Sequence, residues 1–217
     1  MDWLNALIAK GPWLFYIAKG MGLTLALLGA GLTTGLVLGS LLCWARYSGH
    51  GVYPIRAFVS IIRGTPVILQ LSFVYFALPS LIGIPIDAAF AGALTLGLNS
   101  AAYTSEILRA GLMSVPQGQF EAARTLGIPA AHMWRHIIAP QVLRACFPAM
   151  VSELITLLKE TALVATIGGM DVMRRAQLVA AEQFTYFAPL CVAGLYYYVL
   201  ILSIEYASEK IERSFKK

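Results

Sequence analysis

The sequence predicts an all-α membrane protein with five transmembrane helices, and three observations lead there. Of 217 residues, 59% are hydrophobic and 12% charged, and the mean hydropathy is +0.73. Soluble domains average about half apolar and about a quarter charged, so the charged share is roughly halved. Apolar stretches recur at about the twenty-residue length that crosses a ~30 Å hydrocarbon layer, and a chain of this size holds roughly five or six of them at most. The 16 Lys and Arg residues sit at the ends of those stretches rather than on one polar face. That is the distribution of topology signals, not of a nucleic-acid surface. We expect one membrane domain over residues 20–209, an N-terminal interfacial segment over 1–19 and a charged tail over 210–217.

The N-terminal segment carries Trp3, Leu4, Leu7, Ile8, Trp13, Leu14, Phe15 and Ile17, broken by Gly11-Pro12. Tryptophans beside Lys10 and Lys19 suit a membrane interface, where ring dipoles and snorkelling amines settle. Asp2 and the lack of a small-residue cleavage site argue against a removable signal peptide. Span one is expected over 20–45, with no charge between Met21 and Ala45. Its Gly31-x-x-x-Gly35-x-x-x-Gly39 places small residues on one face for close helix packing. Span two runs over 53–81, and Arg63-Gly64-Thr65-Pro66 kinks it near the membrane surface, because Pro66 removes a backbone donor. Gly83-Ile84-Pro85 turns the chain, and Asp87 is placed to start span three, over 88–112.

A polar island of about thirty residues follows, from Met113 to Arg144. Arg109, Glu121, Arg124, His132, Arg135, His136 and Arg144 cannot all lie in hydrocarbon, yet the segment is too short for a domain. Span four runs over 141–164 and is broken by Gly168-Gly169. A moderately polar helix over 170–184 leads to span five, over 186–206. Eleven basic residues fall on the side of the tail and the island, and five on the other. The excess predicts a cytoplasmic C-terminus and island, and an N-terminus on the periplasmic side.

Span four carries a polar stripe. Glu153, Thr156 and Glu160 fall at i, i+3 and i+7, and Ser152, Thr156 and Lys159 at i, i+4 and i+7. A charge at the bilayer centre costs at least about 2.5–3.5 kcal/mol by insertion scales, so such residues face a bundle interior or a water-filled path. Either the stripe lines a solute path, or Lys159 and Glu160 have reached the outer surface while Glu153 sits in a structural pair. Charges of both signs suit a zwitterion, its ammonium towards Glu153 or Glu160 and its carboxylate towards Lys159. Gln70 and Asn99 are uncharged polar groups at intermediate depth, suited to helix-to-helix bonds or to solute contact. Asn99, Tyr103 and Glu106 share one face of span three. Glu106 can pair with Arg109 or with Arg63, as a structural tie or as a gate.

Enzyme signatures are missing: there is no GxxxxGK[ST] phosphate loop, no GxSxG elbow and no HExxH pair. His132 and His136 lack a third ligand in view, so no metal is expected. Cys43, Cys146 and Cys191 are far apart in apolar runs and read as small buried hydrophobes.

Glu121-Ala122-Ala123, three residues, Gly127, nine residues, Ile137, one residue and Ala139-Pro140 together resemble the EAA motif of ATP-binding-cassette importer permeases. Ala139 stands where the pattern has leucine. Arg63-Gly64-Thr65-Pro66 with Gln70, Asn99-Ser100-Ala101-Ala102-Tyr103 with Glu106, and Lys159-Glu160-Thr161-Ala162-Leu163 resemble the polar amino acid permeases of the histidine/glutamine type. In that subfamily Asp more often stands at Glu160 and Ser at Ala162. The resemblance covers residues 20–209.

It implies the type I importer permease fold, with Glu121, Ala122, Ala123 and Gly127 in a cytoplasmic coupling helix seated on an ATPase subunit. It also implies a substrate pathway through Gln70, Asn99, Glu153, Thr156, Lys159, Glu160 and Thr161, with Arg63, Pro66 and Glu106 structural or gating. Further implications are a second permease subunit, an extracytoplasmic amino-acid-binding protein and a bacterial inner-membrane location. No cofactor is expected in this subunit, ATP and Mg being bound by the partner ATPase. A secondary transporter or channel driven by an ion gradient is the alternative, and a membrane enzyme would need a nucleophile and base that the sequence does not supply.

Overall fold

The computed structural model describes residues 11–215, and over these the chain forms helices joined by short turns. The interfacial assignment for Trp3 to Lys10 lies outside the described residues. Helix α1 (Gly11–Ala18) ends at a turn that leads into α2 (Met21–Tyr47). Ile17 of α1 is fully buried with Val172, Val179 and Val192, so this segment packs on the bundle. Next come α3 (Val52–Gly64) and α4 (Val67–Ile82), with a wide π-helical turn at Phe73–Ala77, then α5 (Ala88–Met113) and α6 (Gln117–Thr125). Helix α7 (Ala130–Ile167) contains a second π-helical turn at Trp134–Ile138 and closes in a tight 3-10 turn, Thr161–Ile167. Helices α8 (Val172–Glu182) and α9 (Phe187–Phe215) complete the bundle.

Among the described residues, three stretches are long and apolar enough to cross a membrane: Pro12–Tyr47, Ala130–Ile167 and Phe187–Ser214. The bent pair α3 and α4 makes a fourth if counted as one. The bend is 103°, far more than the kink read from the sequence. Its cause is local. Thr65, before Pro66, is extended, as pre-proline sterics demand. The carbonyls orphaned at the end of α3 are then met by side chains: Gln70 Nε2 donates to Ile62 O (2.8 Å) and Thr65 O (3.1 Å), and Thr65 Oγ1 donates to Ile61 O (2.8 Å). Helix α3 begins beside Tyr47 and ends with Arg63 near Glu106, so both of its ends lie at the same end of the bundle. Only the 16 residues of α4 ascend, about 24 Å at 1.5 Å per residue.

Helix α5 is long enough to span but falls outside the apolar set. It is the interior helix, with 12 of its 26 residues buried, so its polar groups face protein. The glycine stripe of α2 packs on it. Gly35 and Gly39 are buried, and a Cβ on Gly39 would come within 2.7 Å of Thr104 Cβ. That close approach supports the packing expectation for the stripe. Asp87 caps α5 through Phe90 N (2.9 Å), and Gly168 ends α7 in a left-handed conformation; both turns were legible beforehand.

One expectation is corrected. The polar island is not one unit, because its second half belongs to α7, which starts at Ala130 rather than near 141. Pro140 has no N–H and clashes with the preceding turn; the wide turn at Trp134–Ile138 absorbs that defect without ending the helix. The charged tail, to Phe215, is the last part of α9. Among the cysteines, Cys146 is buried, Cys43 half-buried and Cys191 exposed on the outer face of α9.

Candidate functional site

Two polar ties join α5 to α7 inside the bundle. Asn99, 2% exposed, donates from Nδ2 to Glu160 Oε2 at 3.1 Å. One residue on, the Ser100 hydroxyl faces the Glu153 carboxylate. Glu153 and Glu160 are two helical turns apart, about 10 Å along α7. No Lys or Arg lies within 4.0 Å of either among the described residues. Lys159 is exposed on the neighbouring face. The Asn99 Oδ1 acceptor is buried with no partner among the described residues. The α5–α7 contact therefore encloses two carboxylates with no cation beside them and one buried amide oxygen with no donor among the described residues.

The remaining stripe residues divide between helix and interior. Thr156 is exposed and returns its hydroxyl to Ser152 O (3.0 Å), while Thr161 is fully buried and bonds Leu158 O (2.7 Å). Gln70 sits in the α3–α4 bend with its amide nitrogen committed to carbonyls there. The structure thus ties Asn99 to Glu160 and Ser100 to Glu153, sets Thr161 beside Tyr197 instead, and places Gln70 with Pro66 in the hinge.

At the end of the bundle where α2 meets α3 and α5, Glu106 gathers three arginines. Arg109 donates from Nε (3.0 Å) and Nη2 (2.8 Å), Arg46 donates from Nη1, and Arg63 Nη1 stands 3.8 Å away. Arg63 also lies over the Tyr103 ring, 5.1 Å from its centroid. Sequence reasoning named Arg63 and Arg109 but missed Arg46, the most buried of the three. Its position in the last turn of α2 was the available signal, since only folding brings α2 beside α5.

Helix α6 stands on its own small core. Phe120 and Ala123 are buried against Val115, Met133 and Ile138, while Glu121 and Ala122 face outward. Its end is a Schellman cap: Gly127, at φ +66°, donates to Arg124 O, and Ile128 donates to Ala123 O, each at 3.0 Å. Glycine is the residue that takes this left-handed position without a Cβ penalty. This core and cap anchor the helix, leaving Glu121, Ala122 and Arg124 exposed. His132 and His136 stack at 4.3 Å on the surface, and no cluster of three or more metal-ligating side chains occurs among the described residues.

A second buried node, absent from the sequence reading, lies between α7 and α8. Asp171 caps α8 through Arg174 N (2.8 Å) and accepts from Tyr197 Oη (3.0 Å). Burial pushes its carboxyl above the ordinary aspartate value, against the opposing pull of those hydrogen bonds.

The chain is similar to known proteins over nearly its whole length. It is 42% identical over 209 residues to a Rickettsia conorii protein assigned by name to a glutamine transport system permease (GlnP), covering 95% of this chain and 96% of the relative. It is also 42% identical over 207 residues to the arginine transport system permease protein ArtQ of Bacillus subtilis, covering 94% of each. Among solved structures, an amino acid ABC transporter crystallised with histidines superposes with a TM-score of 0.85 at 33% identity, over 97% of both chains. An inward-facing methionine ABC transporter superposes at 0.70 with 22% identity, over 93% of this chain and 94% of that one, which bears on the fold alone. Residues 18–217 match the family of binding-protein-dependent transport system inner membrane components, and the chain belongs to it.

Proposed function

We propose that this subunit of a binding-protein-dependent importer passes a polar amino acid between α5 and α7, driven by an ATPase that grips α6. The observation that carries the reading is the α5–α7 interior: two carboxylates without cations and Asn99 Oδ1, a buried acceptor lacking a donor among the described residues. An amino-acid ammonium brings three N–H donors and one positive charge, which is what that interior lacks. The exposed Lys159 is the cation offered to the solute carboxylate. Charged groups kept inside a membrane bundle mark ion and solute paths by default.

In this reading α5 is the fifth span, polar because it is enclosed by the others. The basic excess orients α6 and the C-terminus to the cytoplasm and the N-terminus to the periplasm. Glu121 and Ala122 form the face read by the ATPase, which binds ATP and Mg. Nucleotide-driven closure of two ATPases moves two permease subunits, identical or paralogous, between inward- and outward-facing states. An extracytoplasmic binding protein delivers the solute. The chain itself performs no hydrolysis, as befits a transmembrane subunit of this family.

The test is uptake into vesicles reconstituted with the chain, its ATPase and its binding protein. Glu121→Arg is expected to abolish ATP-driven uptake while membrane insertion is retained. Full uptake by that variant sinks the coupling assignment, and uptake that persists without any ATPase favours a gradient-driven transporter.

A further inference from the structure

We propose that the open cavity between α2, α3, α5 and α6 binds the phosphodiester headgroup of an anionic phospholipid. The cavity holds about 450 Å³ and is lined by Arg46, Arg56, Arg109 and Arg124, with Glu121 the one acidic residue on its wall. Arg56 and Arg124 form no ion pair among the described residues. Glu106, behind the wall, binds Arg46 and Arg109 and neutralises one further charge. An excess of two positive charges remains, facing the cavity.

Its depth argues for a lipid rather than a soluble anion. Trp44 and Tyr47, at the end of the α2 span, are 65% and 53% exposed, and Tyr53, at the start of α3, is 84% exposed. Exposed aromatic rings at the end of an apolar span mark the headgroup layer. An anion tethered in that layer is already at the cavity mouth. The guanidinium fork suits phosphate oxygens bidentately, and basic pockets between membrane helices are suited to anionic headgroups. The site is separate from the α5–α7 interior, and it touches both the Glu106 clamp and α6. An occupying headgroup therefore ties the ATPase-facing helix to the bundle end.

The experiment uses the full chain, delipidated in detergent and titrated with phosphatidylglycerol or phosphatidylcholine, with bound lipid counted by native mass spectrometry. Phosphatidylglycerol is expected to bind at least tenfold more tightly than phosphatidylcholine. The double variant Arg56→Gln/Arg124→Gln is expected to lose about tenfold of that preference with phosphatidylcholine unchanged. Glu121→Gln, which removes the opposing carboxylate, is expected to strengthen phosphatidylglycerol binding, a gain that misfolding cannot produce. Equal binding of the two lipids, or an unchanged preference in the double variant, overturns the proposal. Displacement by an equal concentration of glycerophosphate or inorganic phosphate assigns the cavity to soluble phosphate instead. Displacement by added ATPase subunits assigns it to a protein contact, and either displacement also overturns the proposal.

Discussion

Replacing Glu106 by glutamine keeps the side chain's size and one acceptor oxygen but removes the charge that three arginines share. The structure gives this carboxylate three hydrogen bonds from guanidinium groups, one from Arg46 and two from Arg109. At about 1.5–3 kcal/mol each, such bonds to charged groups total about 5–9 kcal/mol. The net loss is smaller, because glutamine retains a neutral acceptor and because Arg46 and Arg109 border a cavity where water can solvate them. About 3 kcal/mol remains, the lower end for breaking a buried pair. For a chain of this length that is a fall of roughly 6–12 °C in apparent melting temperature, at about 2–4 °C per kcal/mol.

Within the same cluster Arg63→Gln is expected to do far less. Its contact is 3.8 Å long and the side chain is 42% exposed, and such pairs contribute about 0–1 kcal/mol. The loss of the Tyr103 contact adds about 0.5–1 kcal/mol. Arg46→Gln, by contrast, removes a guanidinium only 12% exposed and should follow Glu106→Gln. The assay is thermal denaturation of the purified chain in detergent, read by the loss of monodisperse protein. If Arg63→Gln shifts the midpoint as much as Arg46→Gln, the carboxylate is not the clamp between α2 and α5 and the reasoning fails.

Three other outcomes follow from the same structure. Glu160→Gln preserves a partner for Asn99 but removes a charge from the interior, so uptake of arginine should fall about tenfold relative to glutamine; an unchanged ratio makes the carboxylate structural. Lys159→Ala should alter solute preference while assembly with the ATPase survives, checked by co-purification. Burial raises the Asp171 carboxyl above its ordinary value, so the folded chain holds that proton more tightly than the unfolded chain does. Stability is then highest below the ordinary aspartate value and declines as pH rises through the raised one. Asp171→Asn should flatten that slope in midpoint-against-pH measurements, and a slope that survives intact assigns it to another group.

Much was legible without coordinates, because in a membrane chain composition and period carry the argument. The uncharged run from Met21 to Ala45 demanded a helix in hydrocarbon, the glycine period within it demanded a close neighbour, and Asp87 and Gly168 marked a start and a stop. The island's spacing, with Gly127 at its turn, marked α6 before any fold was available. Its inward face was not legible, because which alanine of Glu121-Ala122-Ala123 turns to Val115, Met133 and Ile138 depends on a core assembled from two segments.

The sequence by itself determined the helical class, the membrane setting, the element order and the family resemblance, all consequences of local chemistry: hydrophobicity, period, proline and glycine. Only the tertiary structure decided that α3 turns through 103° from α4, that Arg46 joins Arg109 on Glu106, and that Asn99 meets Glu160. Each of these sets an angle between helices or a pairing across dozens of residues. Local propensity is blind to both, because they arise only where side chains from separate helices compete for the same buried space.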